Sequence, residues 1–191
     1  ITQGEFFSIL GPSGCGKTTL LLIAGTLLKP DKGTVTINNT NIYNVNDTQR
    51  AAVRLKNVGF VFQQFYLIPY LTVSENIITA SLVNGSKENQ ERADELIEQF
   101  NLTERANHYP SEISTGEKQR TALARALFNR PSIILADEPT GNLDKKNSEI
   151  VMQYLMDFSH SQGAVLLVTH DDQAASFAHT ILNMSNGSLN N

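Results

Sequence analysis

"GPSGCGKT", residues Gly11 to Thr18, is the stretch whose reading decides the fold. It matches the pattern G-x-x-x-x-G-K-[S/T] in full. Glycines at 11, 14 and 16 let successive backbone N–H groups turn inward as a nest for anions, and a helix that follows presents its positive end to them. Lys17 offers a point charge to the β- and γ-phosphates of a nucleotide, and Thr18 offers a hydroxyl to Mg2+. Pro12, Ser13, Cys15 and Thr19 complete the expected phosphate-binding turn. A thiol close to a helix N-terminus tends toward a lowered pKa, so alkylation of Cys15 is expected to block nucleotide.

Such a loop belongs between a buried strand and a helix, and its flanks provide both. "EFFSIL" is a short apolar run rich in β-formers that stops at Gly11-Pro12. "KTTLLLIAGTLL" carries helix formers until Lys29-Pro30. Further on, "GTVTIN" alternates as a half-exposed strand should, and "VGFVFQ" reads as another strand. From about Leu71 to Arg130 the texture turns helical. In "RADELIEQF", Ala93, Leu96, Ile97 and Phe100 recur at i, i+3, i+4 and i+7, one apolar stripe. Strands return in "SIILAD" and "AVLLVTH", with a helix near Ser148 to Ser159 between them, and the tail reads as a hairpin turning at Asn186-Gly187. Strand–helix alternation at both ends predicts an α/β fold with a mainly parallel sheet flanked by helices. The all-helical middle reads as an inserted subdomain, with the core at 1–67 and 131–191 and the insert at about 68–130.

The chain has 191 residues, room for one α/β domain. A formal net charge of −4 argues against a broad nucleic-acid surface, so no nucleic-acid partner is expected. One cysteine excludes an intrachain disulfide and suits a reducing compartment. No secretory signal opens the sequence, and the longest apolar runs are far short of the roughly 20 residues of a membrane span. Work at a membrane would be done from the water side.

Two carboxylates stand out. "IILADEP" puts Asp137 and Glu138 at the carboxyl end of a buried strand, the edge where open α/β sheets gather ligands. Asp137 is placed to hold Mg2+ and Glu138 to polarise an attacking water. His170 ends "AVLLVTH" and is in reach of a γ-phosphate. Gln63 ends "VGFVFQ" at the same edge, where it can ligate Mg2+ or orient water. His108, His160 and His179 have no motif around them. "ISTGEKQR", Ile113 to Arg120, sets a small polar turn at the head of an Ala/Leu-rich helix: an ordinary cap, or half of a second phosphate site.

Taken in order, Gly11–Thr18, Gln63, Ser114–Glu117, "ILADEPTGNLD" and His170 resemble the nucleotide-binding domain of ABC transporters, a P-loop NTPase, over nearly the whole chain. "EPTGNLD" with "PSEISTGEKQR" is especially similar to the lipoprotein-releasing and macrolide-exporting branch, with the cell-division ATPases close by. The resemblance implies a Mg·ATP-hydrolysing subunit that pairs head-to-tail, as a homodimer or pseudo-dimer. The turn of Ser114, Thr115, Gly116 and Glu117 then caps the γ-phosphate held by the other copy. It implies that Asp144 in "GNLD" aligns the two halves, where the residues alone also allow a helix-capping Asp. The region after Gln63, with Phe65, Tyr66, Leu67, Ile68 and Tyr70, would meet a membrane permease at the cytoplasmic face of a bacterial inner membrane. A regulatory ATPase that controls a membrane partner without transport is the alternative.

Two positions depart from the family pattern. Thr115 stands for the first glycine, costly if φ there is positive, and Glu117 stands for glutamine. The family stacks adenine on an aromatic residue from a strand before the loop. Phe6 and Phe7 come too late for that, so the stacking residue is expected outside a chain trimmed at its start and at its end.

Overall fold

The computed structural model describes residues 1–81, 86–161 and 163–190. The central sheet has six strands in the order β4-β5-β6-β1-β7-β8. They are β1 (Phe6–Leu10), β4 (Val58–Phe62), β5 (Ile133–Asp137), β6 (Ala164–Thr169), β7 (Thr180–Ser185) and β8 (Ser188–Asn190). All neighbours run parallel except β7 and β8, which pair antiparallel. The predicted hairpin is there, with Asn186 and Gly187 both at positive φ, as a tight two-residue turn of this hand requires.

Because side chains alternate across a strand, the sheet divides the core in two. Ile134, Ala136, Val165 and Leu167 face one hydrophobic cluster. Leu135, Leu166 and Val168 face the other, together with Ile9, Leu21 and Met184. Helix α1 (Lys17–Ala24) lies on this second side and is buried through Leu21. The first cluster is closed by α3 (Val73–Ile78), α4 (Lys87–Gln99), α5 (Thr115–Leu127) and α6 (Lys145–His160). The stripe Ala93, Leu96, Ile97, Phe100 is fully buried in that cluster. Residues 82–85 of the expected helical insert lie outside the described residues.

Three expectations are corrected. The first helix stops at Ala24 rather than Lys29, because the chain turns at Gly25 and Thr26, the latter at φ 66°. A side chain on Gly25 would collide with the Phe60 ring, so the turn and the sheet need that glycine. "GTVTIN" does not join the main sheet. Only β2 (Thr36–Ile37) forms, and it pairs with β3 (Thr40–Asn41) around Asn38 and Asn39 at positive φ. Helix α2 (Asp47–Asn57) was not expected at all. Its signals are a reciprocal cap between Asn46 and Gln49 and two basic residues in the last turn.

Candidate functional site

Register puts the candidate groups side by side. Phe62 stands opposite Asp137, Asp137 opposite Val168, and Thr169 opposite Leu10. The residues that follow β1, β4, β5 and β6 therefore emerge at one edge of the sheet. There Ser13, Gly14, Gly16, Lys17, Thr18, Thr19, Gln63, Asp137, Glu138 and His170 line one cleft of about 490 Å3.

The loop is built as its glycines require. Gly14 and Gly16 sit at φ 82° and 107°, which L side chains rarely adopt. Gly11 is different: a Cβ there would overlap the Met184 carbonyl oxygen of β7 and press on Cys15 Sγ. The hairpin braces the loop a second time through Gly187 N–H, which donates to the Cys15 carbonyl at 3.0 Å. Cys15 itself turns away from the cleft into the cluster of Leu21 and Met184, 7% exposed. That burial withdraws the expectation that its thiol is open to alkylation; Gly11, Pro12 and Cys15 can offer only backbone to a nucleotide. Gly11→Ala should cost about 1–3 kcal/mol, the scale of overpacking, since the obstacle is main chain. A thermal melt and an ATP titration would check this; wild-type values in both would contradict the close approach.

Lys17 is 6% exposed. Its Nζ donates to the carbonyls of Gly11 at 2.7 Å and Pro12 at 3.1 Å, and lies 3.9 Å from Glu138 Oε1. Asp137 is half-buried. Burial pushes its carboxyl above the usual range; a hydrogen bond with Thr18 opposes this, the neighbouring Glu138 charge adds to it, and Lys17 opposes it.

Glu138 holds a left-handed backbone, φ 47°, which costs a non-glycine residue on the order of 1–3 kcal/mol. Its carboxylate is gripped on both oxygens: Oε1 lies 2.7 Å from His170 Nδ1, and Oε2 accepts from Thr169 Oγ1 at 2.9 Å. An ionised carboxylate only accepts, so this bond requires the tautomer with the proton on His170 Nδ1, on a ring 57% exposed. Thr169 was not anticipated; its signal was the hydroxyl beside His170 at the end of a fully buried strand.

Gln63 leans on the loop after β5. Its Nε2 donates to Asn142 Oδ1 at 3.4 Å, while Asn142 Nδ2 donates to the Gln63 carbonyl at 2.9 Å. Gly141 leaves room for this, since a Cβ there would fall 2.7 Å from Gln63 Nε2.

Ser114–Glu117 do not line this cleft. Ser114 is the N-cap of α5, in a reciprocal cap with Glu117. Thr115 is not at positive φ, so its β-branch is unstrained. Glu117 Oε2 accepts from Ser114 N–H at 2.7 Å and from its hydroxyl at 2.8 Å, and Oε1 accepts from Arg105 Nε at 3.0 Å. Burial raises the Glu117 pKa, but those bonds outweigh it and hold the carboxyl below its usual range. The close approach at Gly116 comes from the Asn147 side chain of the same chain. Asp144 caps α6 by accepting from Asn147 N at 2.9 Å. Buried Gln119 reaches the Pro139 carbonyl at 2.7 Å, next to Glu138. Asn142, Asn147 and Gln119 escaped sequence reasoning.

A second, apolar cleft of about 1020 Å3 lies between α2, β4 and α5, lined by Ala51, Leu55, Phe60, Phe62 and Tyr66 among others. Of Phe65, Tyr66, Leu67, Ile68 and Tyr70, Tyr66 lines this cleft and the other four do not. Helix α2, unforeseen in the sequence, supplies the facing wall. Arg125 pins the segment through the carbonyls of Tyr66 and Phe65, both at 2.7 Å, and fully buried Asn76 holds Ile68 and Leu71.

A mostly parallel sheet with a glycine loop, a buried lysine and paired carboxylates at its carboxyl edge defines a P-loop NTPase. Residues 1–141 match the ABC transporter family. The chain is 46% identical over 192 residues to the lipoprotein-releasing system ATP-binding protein LolD of Bacteroides thetaiotaomicron, across 99% of this chain and 88% of that one. It is 44% identical over 196 residues to the ABC transporter ATP-binding protein MJ0796 of Methanocaldococcus jannaschii, across 99% and 83%. Among solved structures, the dimeric post-hydrolysis state of MJ0796 bound to ADP and Pi superposes with a TM-score of 0.90. The match is at 42% identity and covers 100% of this chain and 85% of that one. The chain belongs to the ABC transporter family, as an ATP-binding and ATP-hydrolysing subunit.

Proposed function

We propose that the chain, as one ATPase domain, works as a head-to-tail dimer that closes on two Mg·ATP and drives a membrane permease. The observation that carries this is the separation within one chain. Nucleotide-binding groups line one cleft, while Ser114 and Gly116 stand outside it at the head of α5. A second copy supplies the missing side, a reading supported by the dimeric state of the similar cassette MJ0796. Asp144, at the head of α6 beside Gly116, then falls near the same interface.

The residues fit a Mg2+ ion. Among the described residues, no three His, Cys, Asp or Glu side chains cluster as a cage. Thr18, Gln63 and Asp137 instead line the same cleft, a sparse oxygen set that suits an ion completed by phosphate oxygens and water. Bound Mg2+ would neutralise phosphate charge. Lys17 exchanges its carbonyl partners for phosphate oxygens, Glu138 accepts a proton from the attacking water, and His170 touches the γ-phosphate. Loss of that phosphate removes the contact that favours the closed dimer.

The cleft lined by Phe60, Phe62 and Tyr66 suits an apolar element of a permease, with Tyr66 exposed on its wall. No described helix is long and apolar enough to cross a membrane, and a peripheral place on the inner face of a bacterial membrane follows from this reading. Ser13→Cys with Ser114→Cys, in a Glu138→Gln, Cys15→Ser background, should form a disulfide between chains in ATP and not in ADP. Cross-linking that ignores ATP, or that stays within one chain, would refute the head-to-tail arrangement.

A further inference from the structure

Glu117 presents a difficulty to the turn it caps. An incoming phosphate needs the Ser114 hydroxyl and amide, and a carboxylate oxygen already holds both. Two negative groups would then compete for the same donors, each repelling the other. We propose that Arg105 resolves this competition: its guanidinium holds Glu117 Oε1 and neutralises the carboxylate, so that the Ser114 turn can accept an anion. The inference rests on the reading above, in which that turn meets the partner's triphosphate.

The ion pair is not what makes the cap. Helix α3 is capped in the same way by Glu75, whose Oε2 accepts from Thr72 N at 2.8 Å and Thr72 Oγ1 at 3.0 Å. Glu112 likewise accepts from Tyr109 N at 2.7 Å. Among the described residues neither of these glutamates forms an ion pair, yet Glu117 pairs with a residue 12 positions away. Neither basic neighbour along α5 stands in: Lys118, the next residue, leaves a different face of the helix, and Arg120 is committed to the Phe100 carbonyl and to Asn147. Arg105 sits on a separate short 3-10 helix, Thr103–Arg105. A cation brought from another element to one capping glutamate out of three points to a charge requirement of this turn rather than of its helix. Arg105 is thus a positioning residue, acting on the phosphate through Glu117.

The test measures the ATP concentration that gives half-maximal dimer, by analytical ultracentrifugation in the Glu138→Gln background. Arg105→Ala should raise it roughly fivefold, the scale of an exposed ion pair, and the rise should shrink as salt is added. Arg105→Lys should recover part of the loss. Glu117→Gln keeps a capping acceptor but removes the charge, so it should lower the requirement, and Arg105→Ala should then have no further effect. ATP binding to the single chain should not move in any of them. An Arg105→Ala penalty that persists beside Glu117→Gln would make Arg105 merely structural, and no penalty at all would overturn the proposal. Ser114→Arg separates the two readings. If it abolishes the dimer while Arg105→Ala does nothing, only this inference fails. If it leaves the dimer intact, the trans reading of the turn fails with it.

Discussion

Glu138→Gln should bind ATP as well as the parent chain, lose turnover by about 10^2–10^4-fold, and accumulate as an ATP-bound dimer. The substitution removes basicity and turns one of the two accepting oxygens into a donor, which His170 Nδ1 meets by accepting instead. Glutamine keeps the shape that sits at φ 47°, and its carbonyl oxygen can still accept from Thr169. Phosphate-binding groups are untouched, since Lys17 makes its hydrogen bonds to Gly11 and Pro12 rather than to Glu138. Removing a negative charge 3.9 Å from the Lys17 ammonium, beside half-buried Asp137, also relieves repulsion toward a triphosphate. What disappears is the acceptor for the proton of water. The γ-phosphate then stays in place, and the closed state it favours persists. Phosphate-release assays and sedimentation would report both effects. Hydrolysis at the parental rate would take the general-base role away from Glu138.

The site was legible where local sequence and strand direction suffice. Gly11–Thr18 named the loop, and the carboxyl ends of "VGFVFQ", "IILAD" and "AVLLVTH" put Gln63, Asp137, Glu138 and His170 on one edge, because parallel strands must align there. Orientation was not legible. Nothing in "GPSGCGKT" says that Cys15 faces the core, since that follows from Met184 arriving under the loop some 170 residues later. Gln63 and Asn142 are 79 positions apart and meet only through strand pairing. The short β2 and the unforeseen α2 have another cause. Alternation in "GTVTIN" is genuine, but two asparagines at positive φ fold it back on itself before it can reach the sheet. Helix α2 carried its clearest boundary signals in a reciprocal cap and a charge gradient, which a search for apolar runs passes over.

The second large effect separates a trans site from a cis one. In the Glu138→Gln background, Lys17→Ala removes the cation at the phosphate loop, and Ser114→Arg blocks the α5 turn. Neither chain alone should dimerise in ATP, because every composite site in such a dimer lacks one half. Mixed, the two should dimerise. A mixed pair joins the intact Lys17 of the Ser114→Arg chain to the intact Ser114 of the Lys17→Ala chain. One site is restored and the opposite one is doubly broken, so the dimer should hold about one ATP for two chains, as an isologous head-to-tail pairing demands. Were both halves of a site drawn from one chain, mixing two defective chains could restore nothing. The geometry already leans one way: the cleft walls come from the edges of β1, β4, β5 and β6, whereas Ser114 caps a helix outside that cleft, tied to Arg105 through Glu117. Sedimentation of the mixture with labelled ATP decides it. Absence of any dimer at all mixing ratios, or an ATP-dependent dimer from Ser114→Arg alone, would count against reciprocal clamping.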